Sequence, residues 1–233
     1  MFKRFQTRRS DYAKVQTKLR PRLTHRDYLT LSFLSETICI VLKKILGNRS
    51  NLRVLDVGCG RKPYEVFFKH GTDAYIGIDI NRGSSAEIVG IGEKLPFKDN
   101  YFDIALSIQV LEHVIDPLMM LKEIHRVCKN SGFLVLSTHG IYLEDHGPND
   151  LWRYTSQGLA KLVQSTGFKV INVYSMSPLE SLVQISLFYF FLPDPLNLFN
   201  AIGNVVGKTL KSILGNVGPK LHIIHLILAE KQT

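Results

Sequence analysis

Two glycines separated by one residue follow a short apolar run and mark the first candidate binding site. Residues 54–57 are typical of a buried strand, and Gly58 and Gly60 come directly after it. Glycines at such a turn let the backbone reverse sharply and let a ligand approach without a Cβ in the way. A second apolar run, residues 74–78, ends in Asp79, whose carboxylate can accept hydrogen bonds from both hydroxyls of a ribose. This spacing predicts a nucleoside site at the edge of a sheet.

The residues around the glycine turn argue against a dinucleotide ligand. A dinucleotide site needs a third glycine near position 63, where helix and strand close around a pyrophosphate, and Lys62 and Pro63 stand there. Asp56, at the end of the first strand, would repel a pyrophosphate but attract an ammonium group. The residues therefore favour a nucleoside with a positively charged tail. Pro63 and the aromatic residues after it predict that a helix begins there.

Strand-like and helical patterns alternate along the rest of the chain. Candidate strands lie at 86–89, 104–108, 132–137, 167–173 and 221–229, and candidate helices lie at 27–46, 118–129 and from Thr155 or Ser156 to 165. Alternation at this spacing predicts an α/β fold, a doubly wound and mostly parallel sheet with helices on both faces. We expect a single domain over residues 27–233, with an apolar helical insertion at 176–219.

Three further motifs lie where such a sheet would place its ligand-binding edge. They are Leu95-Pro96-Phe97, Phe102-Asp103 and Val110-Leu111-Glu112-His113-Val114. Together with the glycine turn they resemble the class I S-adenosylmethionine-dependent methyltransferases, over residues 53–173. The resemblance implies a Rossmann-like sheet with an antiparallel last strand, S-adenosyl-L-methionine as the cofactor, and methyl transfer to a hydroxyl of a small-molecule or glycan-linked acceptor. It implies no metal.

The same resemblance assigns residues to the cofactor. They are Asp56 for its amino-acid end, Asp79 for its ribose, and Gly58, Cys59, Gly60, Ile80, Gly92, Glu93 and Gln109 around it. The chain departs from the family at Ile91, where a carboxylate often receives the adenine amino group, and at Lys62, where a third glycine is usual. We expect backbone groups near Gly92 to hold the adenine, with Ile80, Ile91 and Leu95 covering it. The two departures leave open a cofactor-binding scaffold without catalysis.

A polar loop, residues 138–155, leaves the fifth strand at the same edge and offers candidate bases. A sugar hydroxyl needs a base to accept its proton, and we expect His146 to serve first and His139 second. The pattern from His146 to Thr155 resembles methyltransferases of bacterial surface-polysaccharide biosynthesis. Trp152 and Arg153 either contact the substrate or brace the loop. Glu112 and His113 have two interpretations, a cap with a ring packed over the cofactor, or general-base chemistry.

Charge and hydropathy at the two ends suggest where the protein works. Residues 1–26 carry nine Lys and Arg against one Asp, a net charge of +8 within a total of +9. Such a basic arm favours an anionic surface, and we expect lipid rather than nucleic acid. The apolar insertion 176–219 predicts contact with an anionic membrane surface, a second copy of the chain, or a lipid-soluble, quinone-like acceptor. Three widely spaced cysteines predict a reducing cytosol, and we expect a cytoplasmic protein peripheral to the inner membrane face.

Overall fold

A seven-stranded sheet forms the centre of the protein, described here from a computed structural model that covers residues 17–47, 49–68, 71–144, 149–189, 198–215 and 221–232. The strands are β1 (Leu52–Val57), β2 (Thr72–Asp79), β3 (Ile88–Val89), β4 (Phe102–Ile108), β5 (Cys128–His139), β6 (Phe168–Ser175) and β7 (Ile224–Lys231). Their spatial order is β3-β2-β1-β4-β5-β7-β6. Only β7 among them runs antiparallel to its neighbours, β5 and β6. The predicted fold, including the antiparallel last strand, is confirmed.

Helices cover both faces of this sheet. They are α1 (Tyr28–Leu46), α2 (Pro117–Val127), α3 (Ser156–Gln164), α4 (Pro178–Tyr189) and α5 (Leu198–Leu214). One core lies between the sheet and α1, and the other lies between the sheet and the pair α2 and α3. The predicted insertion supplies α4 and α5, which pack against each other and against α1. No helix among the described residues is long and apolar enough to cross a bilayer.

The start of α2 shows how local chemistry sets a boundary. Asp116 Oδ1 accepts a hydrogen bond of 2.9 Å from the backbone N–H of Met119, and Pro117 occupies the first helical position. The capping carboxylate accepts a hydrogen bond from an N–H that has no partner inside the helix. Proline suits the first position because the N–H that it lacks would have no partner there. The helix therefore begins one residue before the predicted Leu118.

The predicted helix after the glycine turn was wrong. A single 3₁₀ turn, Glu65–Phe68, is found there. Tyr64 and Phe68 are both buried in the core that α1 also fills, and β2 already begins at Thr72. The short connection leaves no room for a longer helix, and α1 covers this face of the sheet.

Candidate active site

The glycine turn reverses the chain at the carboxyl end of β1. Gly58 and Gly60 have φ angles of +70° and +53°, which favour glycine because a Cβ clashes with its own backbone there. A Cβ on Gly58 would also lie 2.3 Å from Val110 Cγ2, whereas one on Gly60 would meet no atom within 4 Å. The turn is therefore closed at Gly58 by Val110, which follows β4, and open at Gly60, where a ligand can approach.

Asp79 ends β2 beside this turn, and backbone N–H groups orient its carboxylate. Oδ2 accepts from the N–H of Gly60 and Oδ1 from the N–H of Asn81, both at 2.8 Å. A carboxylate has about four lone-pair directions, so each oxygen can accept one further hydrogen bond. This geometry suits two ribose hydroxyls, as the sequence predicted for Asp79.

An apolar cavity of about 180 Å³ adjoins Asp79. Its lining includes the predicted cofactor residues Gly58, Asp79, Ile80, Gly92 and Glu93, together with Ile91 and His113. Ile80 and Ile91 are 68% and 46% exposed. Their side chains are therefore accessible to a flat ring bound in this cavity. The open turn, the oriented carboxylate and this apolar slot together fit an adenosine with an amino-acid tail.

Leu95 does not line this apolar cavity, and its predicted contact with adenine was wrong. Its side chain is 3% exposed and belongs to the core beneath α2. Its backbone N–H donates to Glu123, which also binds Arg126. This ion pair draws the turn toward α2, and the leucine fills the core there.

The missing third glycine is compensated locally. Lys62 has a φ of +52°, so it adopts the left-handed backbone that glycine would supply. Its side chain is 6% exposed and forms an ion pair with Glu87. The carboxylate of Glu87 also accepts from the backbone N–H of Gly77 at 2.7 Å, and these bonds lower its pKa although burial opposes them. The lysine charge is neutralised beneath β2.

Asp56 lies under the turn with its carboxylate 2% exposed. The hydroxyl of Tyr75 donates to Oδ2 at 2.6 Å. Burial raises the pKa of Asp56 to about 7, against the opposing effects of this hydrogen bond and of Lys62. The group can thus carry a proton near neutral pH, and a cation beside it would favour the ionised form.

Cys59 and Gln109, the other two predicted cofactor residues, contact protein atoms. Cys59 is buried, its N–H donates to Ile78 at 3.3 Å, and burial raises the pKa of its thiol to about 12. The thiol is therefore protonated and a poor nucleophile.

Gln109 has a φ of +59°, and its amide donates to Ser137 Oγ at 3.0 Å. These contacts join the carboxyl ends of β4 and β5.

A buried carboxylate joins the motif after β4 to the end of β5. Glu112 is 0% exposed and accepts from the hydroxyl of Thr138 at 2.8 Å. Its other oxygen lies 3.5 Å from Nδ1 of His139 and 4.0 Å from Nε2 of His113. Burial raises the pKa of Glu112 to about 7. The carboxyl group thus lies near both histidines, and the 3₁₀ turn Leu111–His113 has no side-chain cap.

The end of the polar loop is fastened to this motif. The carbonyl of Glu112 accepts from the N–H groups of Leu151 and Trp152, and the indole N–H of Trp152 donates to Val114 at 2.8 Å. Arg153 pairs with Asp150 and donates to the carbonyl of Leu143 at 3.0 Å. These bonds correspond to the bracing interpretation of Trp152 and Arg153. His146, the first predicted base, lies outside the described residues.

A second cavity, of about 310 Å³, opens at the same edge of the sheet. It is lined by Ile141, Tyr154, Thr155, Ser156, Gln157, His222 and His225. The backbone N–H of Tyr154 donates to the carbonyl of His139 at 3.1 Å, so the backbone of the second predicted base lies beside a lining residue, although its imidazole is not part of the lining. Burial lowers the pKa of His225 to about 4, so this imidazole is neutral at neutral pH. Among the described residues, the lining contains no Lys, Arg, Asp or Glu.

Several residues of the site were missed from the sequence. Tyr75 contacts Asp56, and Glu87 contacts Lys62. In the sequence, both look like ordinary residues of a strand or a loop. Lys18 was assigned to the basic arm, yet it lines a cavity of about 360 Å³ together with Gly60 and Asp79. His222 and His225 lay in a predicted strand. The histidine pair in an apolar run was the one local signal.

Known proteins resemble this chain in sequence and in fold. A family model described as a methyltransferase domain matches residues 30–183. An uncharacterized protein of Methanocaldococcus jannaschii is 34% identical over 195 residues, covering 81% of this chain and 84% of that protein. The ubiquinone biosynthesis O-methyltransferase of Bartonella quintana is 25% identical over 159 residues, covering 58% of this chain and 61% of that enzyme.

The fold is shared with a solved methyltransferase structure. Phosphoethanolamine N-methyltransferase 2 of Haemonchus contortus, in complex with S-adenosyl-L-methionine, superposes with a TM-score of 0.58 at 15% identity. That match covers 94% of this chain and 60% of the other. Apart from the Methanocaldococcus protein, the chain spans 37% to 61% of the length of the curated relatives it matches here.

The matched range runs from α1 to α4 and includes the glycine turn, Asp79 and the Glu112-His113 motif. The family match favours an enzyme over a scaffold without catalysis, and one of the two departures behind the scaffold interpretation, Lys62, adopts the backbone conformation that a glycine would adopt. The chain belongs to the methyltransferase domain family and is a class I enzyme that uses S-adenosylmethionine.

Proposed function

We propose that the protein methylates a hydroxyl group of a small-molecule or glycan-linked acceptor, with His139 as the base. The observation that carries this proposal is the pair formed by Glu112 and His139. Nδ1 of the imidazole faces a fully buried carboxyl oxygen at 3.5 Å. A carboxylate beside one ring nitrogen holds the proton there and leaves the other nitrogen to accept.

When bound, the cofactor would supply a methyl group from its sulfonium, which passes in line to the acceptor oxygen as the S–C bond breaks and S-adenosylhomocysteine leaves as a neutral thioether. His139 takes the hydroxyl proton, and Glu112 stabilises the imidazolium that results. Asp79 and the glycine turn hold the adenosine, and Asp56 receives the ammonium of the amino-acid tail. The charge of the ammonium shifts Asp56 toward its ionised form, so binding and deprotonation are coupled. The remaining contribution of the protein is alignment and exclusion of water.

The cavity beside His139 supports an acceptor without net charge. Its polar lining combines the neutral imidazole of His225 with the side chains of Tyr154, Thr155 and Gln157. Groups of this kind donate and accept hydrogen bonds without demanding a charged partner. A polyhydroxylated compound such as a sugar residue matches them, in agreement with the resemblance of the loop to polysaccharide enzymes.

A quinone-like acceptor is the second candidate. Two observations favour it, the relative that methylates in ubiquinone biosynthesis and the exposed apolar residues of α5. Both candidates present a hydroxyl, so the base is the same. The two acceptors differ around that hydroxyl. A sugar carries further hydroxyl groups there, whereas a quinol has an aromatic ring and an apolar tail.

The test is S-adenosylhomocysteine release with two acceptor sets, nucleotide sugars and glycans in one, catechol-like and quinol compounds in the other. With the acceptor that works, His139→Asn should lower kcat by about 10²–10⁴ while calorimetric affinity for S-adenosylhomocysteine stays within a few-fold. Glu112→Gln should shift the acidic limb of the pH–rate profile.

His146→Ala tests the other candidate base, the one that the sequence placed first. A full rate and an unchanged profile in His139→Asn would refute His139 as the base.

A further inference from the structure

Helix α5 is oriented opposite to an ordinary surface helix. Its solvent side carries the apolar stripe, which we define as Phe199, Ile202, Val205, Val206 and Ile213, each between 44% and 71% exposed. A helix on the surface of a globular protein normally turns such a stripe toward the core. In α5 the apolar stripe faces away from it.

The opposite side of α5 explains this orientation. Asn204 is 0% exposed, and a Cβ on Gly203 or Gly207 would lie 2.6 Å from Leu187 or 2.9 Å from Leu29. Only a side without bulky side chains can approach α4 and α1 this closely. The packing therefore selects the glycine and asparagine side and leaves the apolar stripe outward.

A basic segment is bound to α5 on the side that carries Asn204. The side-chain amide of Asn204 donates to the carbonyls of Leu23 and His25, at 2.6 and 3.1 Å. These bonds hold the basic segment, residues 18–26, against α5, with Arg20 and Arg22 exposed. The lysines of α5 itself have other partners, since Lys208 and Lys211 pair with the carboxylate of the buried Glu180, and Lys208 also with Glu36. Arg20 and Arg22 are thus exposed cations that this segment presents beside α5.

We propose that the apolar stripe and the basic segment form one docking surface for an anionic lipid bilayer. An amphipathic helix binds a bilayer by burying its apolar side at the level of the headgroups. Each cation near an anionic leaflet adds about 1 kcal/mol, which is about a fivefold increase in the partition coefficient. The net charge of +8 in residues 1–26 adds to the attraction toward an anionic surface. The protein lies on the membrane without crossing it.

Charge also distinguishes lipid from a second copy of the chain. A two-fold dimer through the apolar stripe would use the same patch on both subunits. It would cover the stripe but leave the charge of +8 in residues 1–26 of each subunit without an anionic partner. An anionic leaflet instead neutralises the charge while it covers the stripe.

The experiment is flotation of the full-length protein with two kinds of vesicle, phosphatidylcholine alone and phosphatidylcholine with about a third phosphatidylserine. The protein should float with the anionic vesicles and much less with the neutral ones. Raising the salt from about 0.05 to about 0.5 M should reduce flotation, because exposed charges are screened over a few ångströms at the higher value. Arg20→Gln with Arg22→Gln should weaken partitioning by roughly 10- to 30-fold at low salt.

The apolar stripe is tested with Ile202→Asp and Val206→Asp together. The matched control is Leu118→Asp with Met119→Asp, two exposed apolar residues of α2 on the opposite face of the sheet. The first pair should lose flotation by at least tenfold and the control pair should keep it, with both binding S-adenosylhomocysteine normally as a check of folding.

Three results would overturn the proposal. The full-length protein could stay at the bottom with anionic vesicles. The stripe variant could float as well as the unaltered protein. Light scattering could show a stable dimer that the stripe variant dissociates, in which case the stripe is a subunit interface.

Discussion

Lys62 and Glu87 form an ion pair beneath β2, and the backbone of Lys62 takes the left-handed conformation that the third glycine of the family's first motif would take. The aliphatic part of the lysine lies so close to Gly77 that a Cβ there would be 2.7 Å from Lys62 Cε. A charged residue thus replaces a glycine because its φ angle is tolerated and its charge is neutralised away from the cofactor.

The first prediction compares Lys62→Gly with Lys62→Ala. Both variants lose the ion pair, but alanine retains the unfavourable positive φ of +52°. We expect the alanine variant to have a free energy of unfolding lower by about 1 kcal/mol than the glycine variant. Urea unfolding measures the difference. Affinity of the glycine variant for S-adenosylhomocysteine should stay within a few-fold, and equal stability of the two variants would contradict the role of φ.

The second prediction concerns the ribose. Asp79→Ala removes an acceptor for two hydroxyls, and each charged hydrogen bond contributes roughly 1.5–3 kcal/mol. Calorimetry with S-adenosylhomocysteine should show at least a tenfold loss of affinity. Asp79→Asn keeps one acceptor oxygen, and its affinity should lie between those of the unaltered protein and the alanine variant. An unchanged affinity in the alanine variant would remove Asp79 from the cofactor site.

The third prediction is a pH dependence of stability that arises from Asp56. Its pKa in the folded protein is about 7, above the ordinary 3.8, because the carboxyl group is buried. Between these two values the folded state binds the proton and the unfolded state does not, so this group destabilises the fold as pH rises. Asp56→Asn removes that effect and can still accept from Tyr75.

The stability of Asp56→Asn relative to the unaltered protein should therefore increase by about 2–4 kcal/mol between about pH 4 and about pH 8. Urea unfolding at several pH values measures the difference, without cofactor. Asp73→Asn, which changes an exposed carboxylate on the neighbouring strand β2, controls for the substitution itself. A difference that does not change with pH would show that Asp56 titrates normally.

The fourth prediction concerns the anchor between α5 and the basic segment. Asn204→Ala removes the donors to Leu23 and His25, while Gln184 still donates to the carbonyl of Arg26 and Ser35 to the carbonyl of Leu19. Losing a buried donor costs about 1–3 kcal/mol. Trypsin should cleave after Arg22 and Arg26 faster than in the unaltered protein. Thr209→Ala, on the exposed side of α5, should have no effect, and equal cleavage of all three proteins would show that Asn204 is not an anchor.

Elements with a strong local pattern were predictable. The strand before Gly58, the acid that ends β2 and the helix after Asp116 depend on neighbours within a few residues, through side-chain alternation, turn chemistry and capping. The short 3₁₀ turn was missed because the aromatic residues after Pro63 look helical, whereas their burial against α1 depends on a segment far away in the chain.

The sheet and its helices on both faces were predictable from the sequence, because they depend on periodicity and short motifs. Contacts between residues far apart in the chain could be found only from the three-dimensional structure. Tyr75 reaches Asp56, Lys18 reaches the cavity beside Asp79, and His225 lies beside the strand that ends in His139. The tertiary structure also decided the outward direction of the apolar stripe. Periodicity shows that a helix has two sides, but the close approach allowed by Gly203 and Gly207 selects which side packs.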